Sequence, residues 1–319
     1  MKAGIIGTGF GARVVAPIYR NAGIEVVDVV SPRDEAGVAR LCAAALDFVS
    51  IHSPPFLHRE HVLLALKHGR NIVCDKPFGK SAIEAREMLD AAQRAGIIHL
   101  LNFEFRQEAQ RKQAKALIDE GAIGELRHIH WTAFLSASRR MRYGWLWNRE
   151  LGGGWIGAFG SHAIDAMRWW AGEITQASGV CRSEMPTRQD AQGAAHVCTG
   201  EDSFSACFTF ASGATAVLDT SYASAITCLP EIKIFGSEGA LLLKGSTELA
   251  LKRADKADRQ FDYPAPQGDP HEPALGKWAA MIKDAIRDKQ QITPSFREGL
   301  ACAEAMDKLR ANAVWLTPQ

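Results

Sequence analysis

Neither sign of charge prevails in this chain: 37 lysines and arginines stand against 36 aspartates and glutamates, for a net charge of +1. The two signs are interspersed, so the chain lacks the basic field that holds nucleic acid. It also lacks any apolar run long enough to cross a bilayer. No Cys-x-x-Cys pair occurs among the seven cysteines, Cys42, Cys74, Cys181, Cys198, Cys207, Cys228 and Cys302. An odd number of scattered cysteines reads as reduced, mostly buried thiols in the cytoplasm rather than a disulfide framework or a metal site. A strand begins almost at Met1, which leaves no room for a signal peptide. The expectation is a cytoplasmic protein with no nucleic-acid, membrane or metal partner.

What is present is apolar substance for two cores. The chain has 319 residues, of which 47% are hydrophobic, and this length suggests two domains. Short apolar runs at 2–6, 26–30, 46–52, 71–75 and 97–103 read as strands. Helical stretches at 13–21, 36–45, 58–68 and 81–95 separate them. Such alternation predicts a parallel sheet covered on both faces. Near residue 122 the pattern changes to turn-rich strands at 125–134, 204–210, 214–222, 229–235 and 240–243. The prediction is an α/β Rossmann domain over 1–121, followed by an α+β domain over 122–319 with a large, open, mostly antiparallel sheet. Helices are expected at 271–288 and 295–313, with the polar stretch 252–272 as a surface excursion.

The first strand runs into Gly7-Thr8-Gly9-Phe10-Gly11-Ala12. A Gly-x-Gly-x-x-Ala turn that follows a strand and opens a helix within a βαβ unit is a dinucleotide-binding signature. Gly7 permits the sharp turn, Gly9 lets a pyrophosphate approach the backbone, and Ala12 lets the helix pack close to the strand. Free amides at the helix start then meet the phosphates. Cofactor choice is read at the end of the second strand, where the chain carries Ser31-Pro32-Arg33. An acidic residue there would favour NAD through the ribose hydroxyls. Ser31 with Arg33 suits a 2′-phosphate, which favours NADP, while Asp34 leaves NAD open.

Further motifs follow in order along the chain. They are Ser53-Pro54-Pro55-Phe56-Leu57-His58, Cys74-Asp75-Lys76-Pro77, Asn102-Phe103-Glu104-Phe105-Arg106, Gly121-Ala122-Ile123-Gly124-Glu125, Gly152-Gly153-Gly154, and Gly160-Ser161-His162-Ala163-Ile164-Asp165. The series resembles the Gfo/Idh/MocA oxidoreductase family, that is, glucose-fructose oxidoreductase, inositol dehydrogenase and their relatives. The resemblance implies hydride transfer between nicotinamide and a sugar-like alcohol or carbonyl compound. It implies Lys76 close to the substrate hydroxyl and His162 as acid/base. Ser53, Pro54, His58, Asp75 and Lys76 would line the cofactor, and Phe105 the substrate. The open sheet would make a homodimer or homotetramer.

Asp165 falls one helical turn after His162, hence on the same face, where it is a candidate to orient the imidazole. Tyr143, Trp145, Trp147 and Trp155, interleaved with Arg139, Arg140 and Arg142, suit either a sugar-stacking site or a loop anchored on the core. Of these, Trp145, Trp147 and Arg142 are the substrate candidates. Trp169 and Trp170 read as the core face of the following helix.

Three departures from the family stand out. Ala158 occupies the position where many members carry the Asp of an Asp-x-Gly-x-His pattern. Asp75 replaces the family's Glu. Only fifteen residues, 32–46, connect the second strand to the next, so the usual edge strand and one helix are expected to be missing. The missing Asp and the shortened crossover also suit a rival reading, a cofactor-binding sensor on the same fold with weak or no turnover.

Overall fold

The computed structural model describes residues 1–316. The N-terminal apolar runs form β1 (Lys2–Ile6), β2 (Glu25–Val30), β3 (Phe48–Ile51), β4 (Asn71–Cys74) and β5 (His99–Leu101). Between them lie α1 (Ala16–Asn21), α2 (Glu35–Ala43), α3 (Pro55–Lys67) and α4 (Ala82–Ala95). Local chemistry sets the helix starts. Asp34 Oδ1 accepts from Gly37 N at 2.9 Å to cap α2. Pro55 opens α3 at the first helical position, where its missing N–H costs nothing. Ser81 Oγ accepts from Glu84 N to start α4.

Beyond these come α5 (Ala109–Asp119), β6 (Leu126–Phe134), α6 (Ser161–Ala171), β7 (Ile174–Arg182), β8 (Thr187–Gln189), β9 (Ala195–Val197), β10 (Ser203–Phe210) and β11 (Thr215–Ser221). The series closes with β12 (Glu231–Gly236), β13 (Gly239–Lys244), β14 (Glu248–Arg253), β15 (Lys256–Asp262), α7 (Glu272–Arg287), α8 (Phe296–Asn312) and β16 (Ala313–Leu316).

Contacts divide the chain into two compact units. One joins Met1–Gln107 to Pro266–Glu304, and the other joins Glu108–Ala265 to the stretch that begins at Ala305. A single cut after residue 121 does not describe this division, because residues 266–304 return to the first unit. The apolar face of α7 is the reason. Leu275, Trp278, Ala279 and Ile282 share one buried cluster with Ile5, Ile18, Tyr19, Phe48 and Leu100. Trp278 is fully buried, and its Nε1–H donates to Asn102 Oδ1 at 3.1 Å. Gln291 seals the outer edge of β5 by accepting from His99 N and donating to His99 O.

The first sheet is parallel throughout, in the order β2-β1-β3-β4-β5. β2 is its edge among the described residues, and the crossover to β3 holds α2 alone. The edge strand expected to be missing is thus absent, while the central strands remain.

The second sheet has nine strands in the order β15-β14-β13-β12-β6-β11-β10-β7-β16. Its pairs are antiparallel except for β6 with β11 and β7 with β16. Alternation builds its buried face. Register places Trp131, Ile232, Leu243 and Leu249 in one row, and Ile129, Ile234, Leu241 and Leu251 in the next. Trp170 of α6 meets Trp131 with ring centroids 6.1 Å apart. The stretch 252–272 is not only a surface excursion, since β15 pairs there with β14 as an exposed edge strand. Its polar sequence carries no period-2 signal because neither face is buried. No described helix is long and apolar enough to cross a membrane.

Truncating Trp278 to Ala opens a large cavity under β1 and β3. The expected cost is about 3–5 kcal/mol, read as a lower urea midpoint, whereas exposed Ile83→Ala stays within about 0.5 kcal/mol. Equal midpoints for the two variants would remove α7 from the core of the first unit.

Candidate functional site

In the first sheet β1 is followed by β2 on one side and by β3 on the other, so the strand order reverses between β1 and β3. Ligands of open α/β sheets bind outside the C-terminal strand ends at such a reversal. Here those ends are tied together by backbone. Gly7 N donates to Val30 O, His52 N to Ile6 O, Asp75 N to Ile51 O and Asn102 N to Cys74 O, all at 2.8–2.9 Å.

Gly7 has φ +144°, and a Cβ there would lie 2.7 Å from His52 O, so both conformation and space demand glycine. A Cβ on Gly9 would meet no protein atom within 4 Å. Packing therefore does not explain Gly9, while an incoming phosphate does. The close helix–strand approach expected of Ala12 falls on Gly11, where a Cβ would lie 2.9 Å from Ile5 Cγ2. Ala12 is half-buried, Phe10 partly exposed and Thr8 exposed. Arg13 N is bonded back to Gly9 O, so the preceding amides lie ahead of the helical ladder. These residues fit a dinucleotide pyrophosphate.

At the end of β2, Ser31 Oγ accepts from Arg33 N at 3.3 Å, and the Arg33 side chain is exposed. Asp34 is engaged as the α2 cap and lies 4.0 Å from Arg40. Pro32, Arg33 and Val38 line a cleft of about 360 Å³ with Phe56, Leu57 and Glu60. The cleft places an apolar wall beside Arg33, a setting suited to an adenosine.

Lys76 and Asp75 follow β4 and are both partly buried, and the Lys76–Pro77 peptide is cis. Asp75 Oδ1 accepts from Lys76 N at 2.9 Å. Asp75 Oδ2 lies 3.1 Å from His52 Nδ1. Burial pushes the Asp75 carboxyl up, but the His52 hydrogen bond and the nearby Lys76 charge outweigh it and hold the group below the usual carboxylate range. His58 is fully buried, with Nε2 2.7 Å from Ser53 O and Nδ1 3.3 Å from Phe78 O. Burial pushes its imidazolium below the ordinary histidine value. A neutral His58 therefore donates Nε2–H to Ser53 O, tying the Ser53-Pro54 turn to the first turn of α3. Ser53 is buried, and its hydroxyl meets His61 Nδ1 at 3.0 Å.

Two groups here carried no sequence signal. His52 is one, an isolated histidine after a strand. His271 is the other. Its Nδ1 lies 3.1 Å from the buried carboxylate of Glu104, and its ring meets Phe10 edge-on at 5.3 Å. The Glu104 hydrogen bond raises its pKa above the ordinary value. Their sequence separation, from Glu104 to His271, hides the pair from any local pattern. Phe105 is half-buried in the 3₁₀ turn Glu104–Gln107.

In the second unit His162 and Asp165 are both buried on α6, so Asp165 does not face solvent. Ala158 lies in the π-helical turn Ile156–Gly160 just before. Trp147 corrects the substrate expectation. It is 1% exposed, its Nε1–H donates to Arg142 O, the Arg188 guanidinium lies 3.8 Å over the ring, and Tyr222 stacks at 6.4 Å. With its ring covered, Trp147 anchors the loop and has no face for a sugar. Trp155 is likewise buried, stacked between Tyr222 and Phe159. Trp145 is half-buried and Arg142 is exposed, with Arg142 Nη1 3.4 Å from Ala191 O. Arg188, which no sequence pattern singled out, holds this loop from below through Ser138 O and Met141 O, with Asp202 3.7 Å away.

Residues 1–103 match the oxidoreductase family model with the NAD-binding Rossmann fold, and residues 111–242 match the GFO/IDH/MocA C-terminal domain. Levoglucosan dehydrogenase from Pseudarthrobacter phenanthrenivorans is 27% identical over 301 residues, covering 83% of this chain and 77% of that protein. D-apiose dehydrogenase from Paraburkholderia graminis is 27% identical over 334 residues, covering 94% and 80%. A solved levoglucosan dehydrogenase in complex with NADH and levoglucosan superposes with a TM-score of 0.87 at 21% identity, over 98% of this chain and 96% of that one, which shows the same fold. With both family models matched in order along its length, the chain belongs to the Gfo/Idh/MocA family of oxidoreductases.

Proposed function

We propose that this oxidoreductase moves a hydride between a nicotinamide dinucleotide and a sugar-like polyhydroxy alcohol or its carbonyl form, with Lys76 and His162 handling the proton. The observation that carries the reading is the open space at Gly9, on the same sheet edge as Lys76. The sugar dehydrogenases among its relatives support the substrate class. When bound, the nicotinamide supplies or accepts the hydride. The chain's own residues do the rest. Gly7 to Ala12 hold the pyrophosphate, and the Pro32–Phe56 cleft takes the adenosine. Lys76 steadies the substrate oxygen, and His162 takes or returns its proton near neutral pH. Trp145, Arg142 and Phe105 remain the substrate-binding candidates.

The reading includes NADP as the preferred dinucleotide. Ser31 and the exposed Arg33 suit a 2′-phosphate, and Asp34 is already spent on the α2 cap. Glu60 and Glu35 line the same cleft and keep the preference modest. It also includes a homodimer or homotetramer through the open sheet, where Phe235, Val314 and Leu316 are exposed.

Turnover is followed at the reduced nicotinamide band with levoglucosan, D-apiose and myo-inositol. Lys76→Met and His162→Asn are each expected to lower kcat by about 10²–10⁴-fold while dinucleotide binding persists. Wild-type rates in either variant would remove that residue from the reaction, and tight dinucleotide binding with no turnover on any substrate would favour the sensor. Arg33→Ala is expected to shift the NADP-to-NAD ratio of kcat/KM toward NAD by about tenfold. An unchanged ratio would overturn the NADP preference.

A further inference from the structure

We infer that His52 is a positioning residue for the Asp75–Lys76 turn, fed by a one-way row of hydrogen bonds from Tyr19 through Ser50. The inference rests on the reading that Lys76 handles the substrate proton. Tyr19 and Ser50 are both buried, and Tyr19 OH meets Ser50 Oγ at 2.9 Å. Ser50 Oγ meets His52 Nε2 at 2.8 Å, and His52 Nδ1 meets Asp75 Oδ2 at 3.1 Å. Asp75 Oδ1 holds Lys76 N.

The arrangement of protons that we assign to the row runs one way. In it the buried Tyr19 phenol donates to Ser50 Oγ, its hydrogen-bond partner. Ser50 then turns its own O–H to His52 Nε2, which becomes the acceptor. The imidazole proton therefore sits on Nδ1 and points at Asp75. Both Asp75 oxygens are occupied, one by the imidazole and one by the backbone of Lys76. The turn that carries Lys76 is thereby fixed to the core of β3 and to α1, the helix that the glycine turn opens. The same His52 packs its Cβ against Gly11 and its carbonyl against Gly7. It thus touches the dinucleotide turn through its backbone and Cβ, and the Lys76 turn through its ring. Asp75 ends on this imidazole.

Two substitutions separate the ring's hydrogen bond from its bulk. His52→Leu keeps the Cβ against Gly11 and removes the donor. His52→Asn restores an N–H where Nδ1 stood. With the dinucleotide and whichever of levoglucosan, D-apiose or myo-inositol is oxidised, His52→Leu is expected to lower kcat by about tenfold or more. His52→Asn recovers to within about threefold of wild type, and dinucleotide Kd changes by less than about threefold in both. Asp75 faces His52, Lys76 and His58, and losing the His52 donor lets its pKa rise. The titration of the Asp75 carboxyl itself, followed by its ¹³C shift, therefore moves to higher pH in His52→Leu and returns in His52→Asn. Independently of activity, imidazole ¹⁵N spectra of the protein without cofactor should show a neutral Nδ1–H histidine that disappears in His52→Leu. Tyr19→Phe, which keeps the core shape, should weaken that signature without changing the fold.

A wild-type kcat and Asp75 titration in His52→Leu would overturn the inference, as would an Asn variant no better than the Leu variant, or an Nε2–H tautomer for His52. If Lys76→Met also turns over normally, the reading of the reaction falls with it. If Lys76→Met is inactive and His52→Leu is normal, only the role of His52 falls.

Discussion

The close approach of the glycine turn to the backbone of His52 is the constraint on which the rest of the first unit depends. With Gly7 against His52 O, and with Gly11 against Ile5 and His52, β1 and β3 end at the same level, and the helix after the turn packs without a gap. Any side chain at position 7 would collide with backbone, which cannot move away as a flexible side chain can. Backbone hydrogen bonds between the strand ends extend this alignment from Val30 to Asn102. Cofactor turn, Ser53 turn and Lys76 turn therefore share one edge because the strands beneath them are in register.

That edge holds several polar groups in hydrogen bonds of their own. His58 is held by Ser53 O, Asp75 by His52 and the Lys76 amide, and Glu104 by His271. A buried group without partners costs about 1–3 kcal/mol, a cost that these contacts avoid. The second unit has comparable contacts beneath its loop of arginines and tryptophans. Asp202 accepts from Glu184 N and Met185 N, and Arg188 reaches Ser138 O and Met141 O. What looks on paper like a row of sugar-stacking aromatics is partly a set of anchors, with Trp147 and Trp155 spent on packing.

Much of the fold was legible because it rests on short-range rules. The apolar runs of β1 to β5, the proline at the start of α3 and the glycine turn all declare themselves within a few residues. The missing edge strand was legible too, since 32–46 holds one helix and no more. Lys76 and His162 were singled out as candidates by the company of their motifs rather than by any property of their own. Other features were hidden for physical reasons. β15 has no buried face, so its sequence carries no alternation. Arg188 and Trp147 are paired by burial, which a list of residue types does not express.

The sequence by itself determined the alternation of β1 to β5 with their helices, the dinucleotide turn, the family and the residues offered to the chemistry, because each is written in local periodicity or in contiguous motifs. Only the tertiary structure decided that residues 266–304 return to the first unit, that Gly11 rather than Ala12 makes the close approach, and that His52 and His271 stand beside the groups they serve. Those facts depend on contacts between residues far apart in the chain. Burial and strand register create them, and no local pattern encodes them.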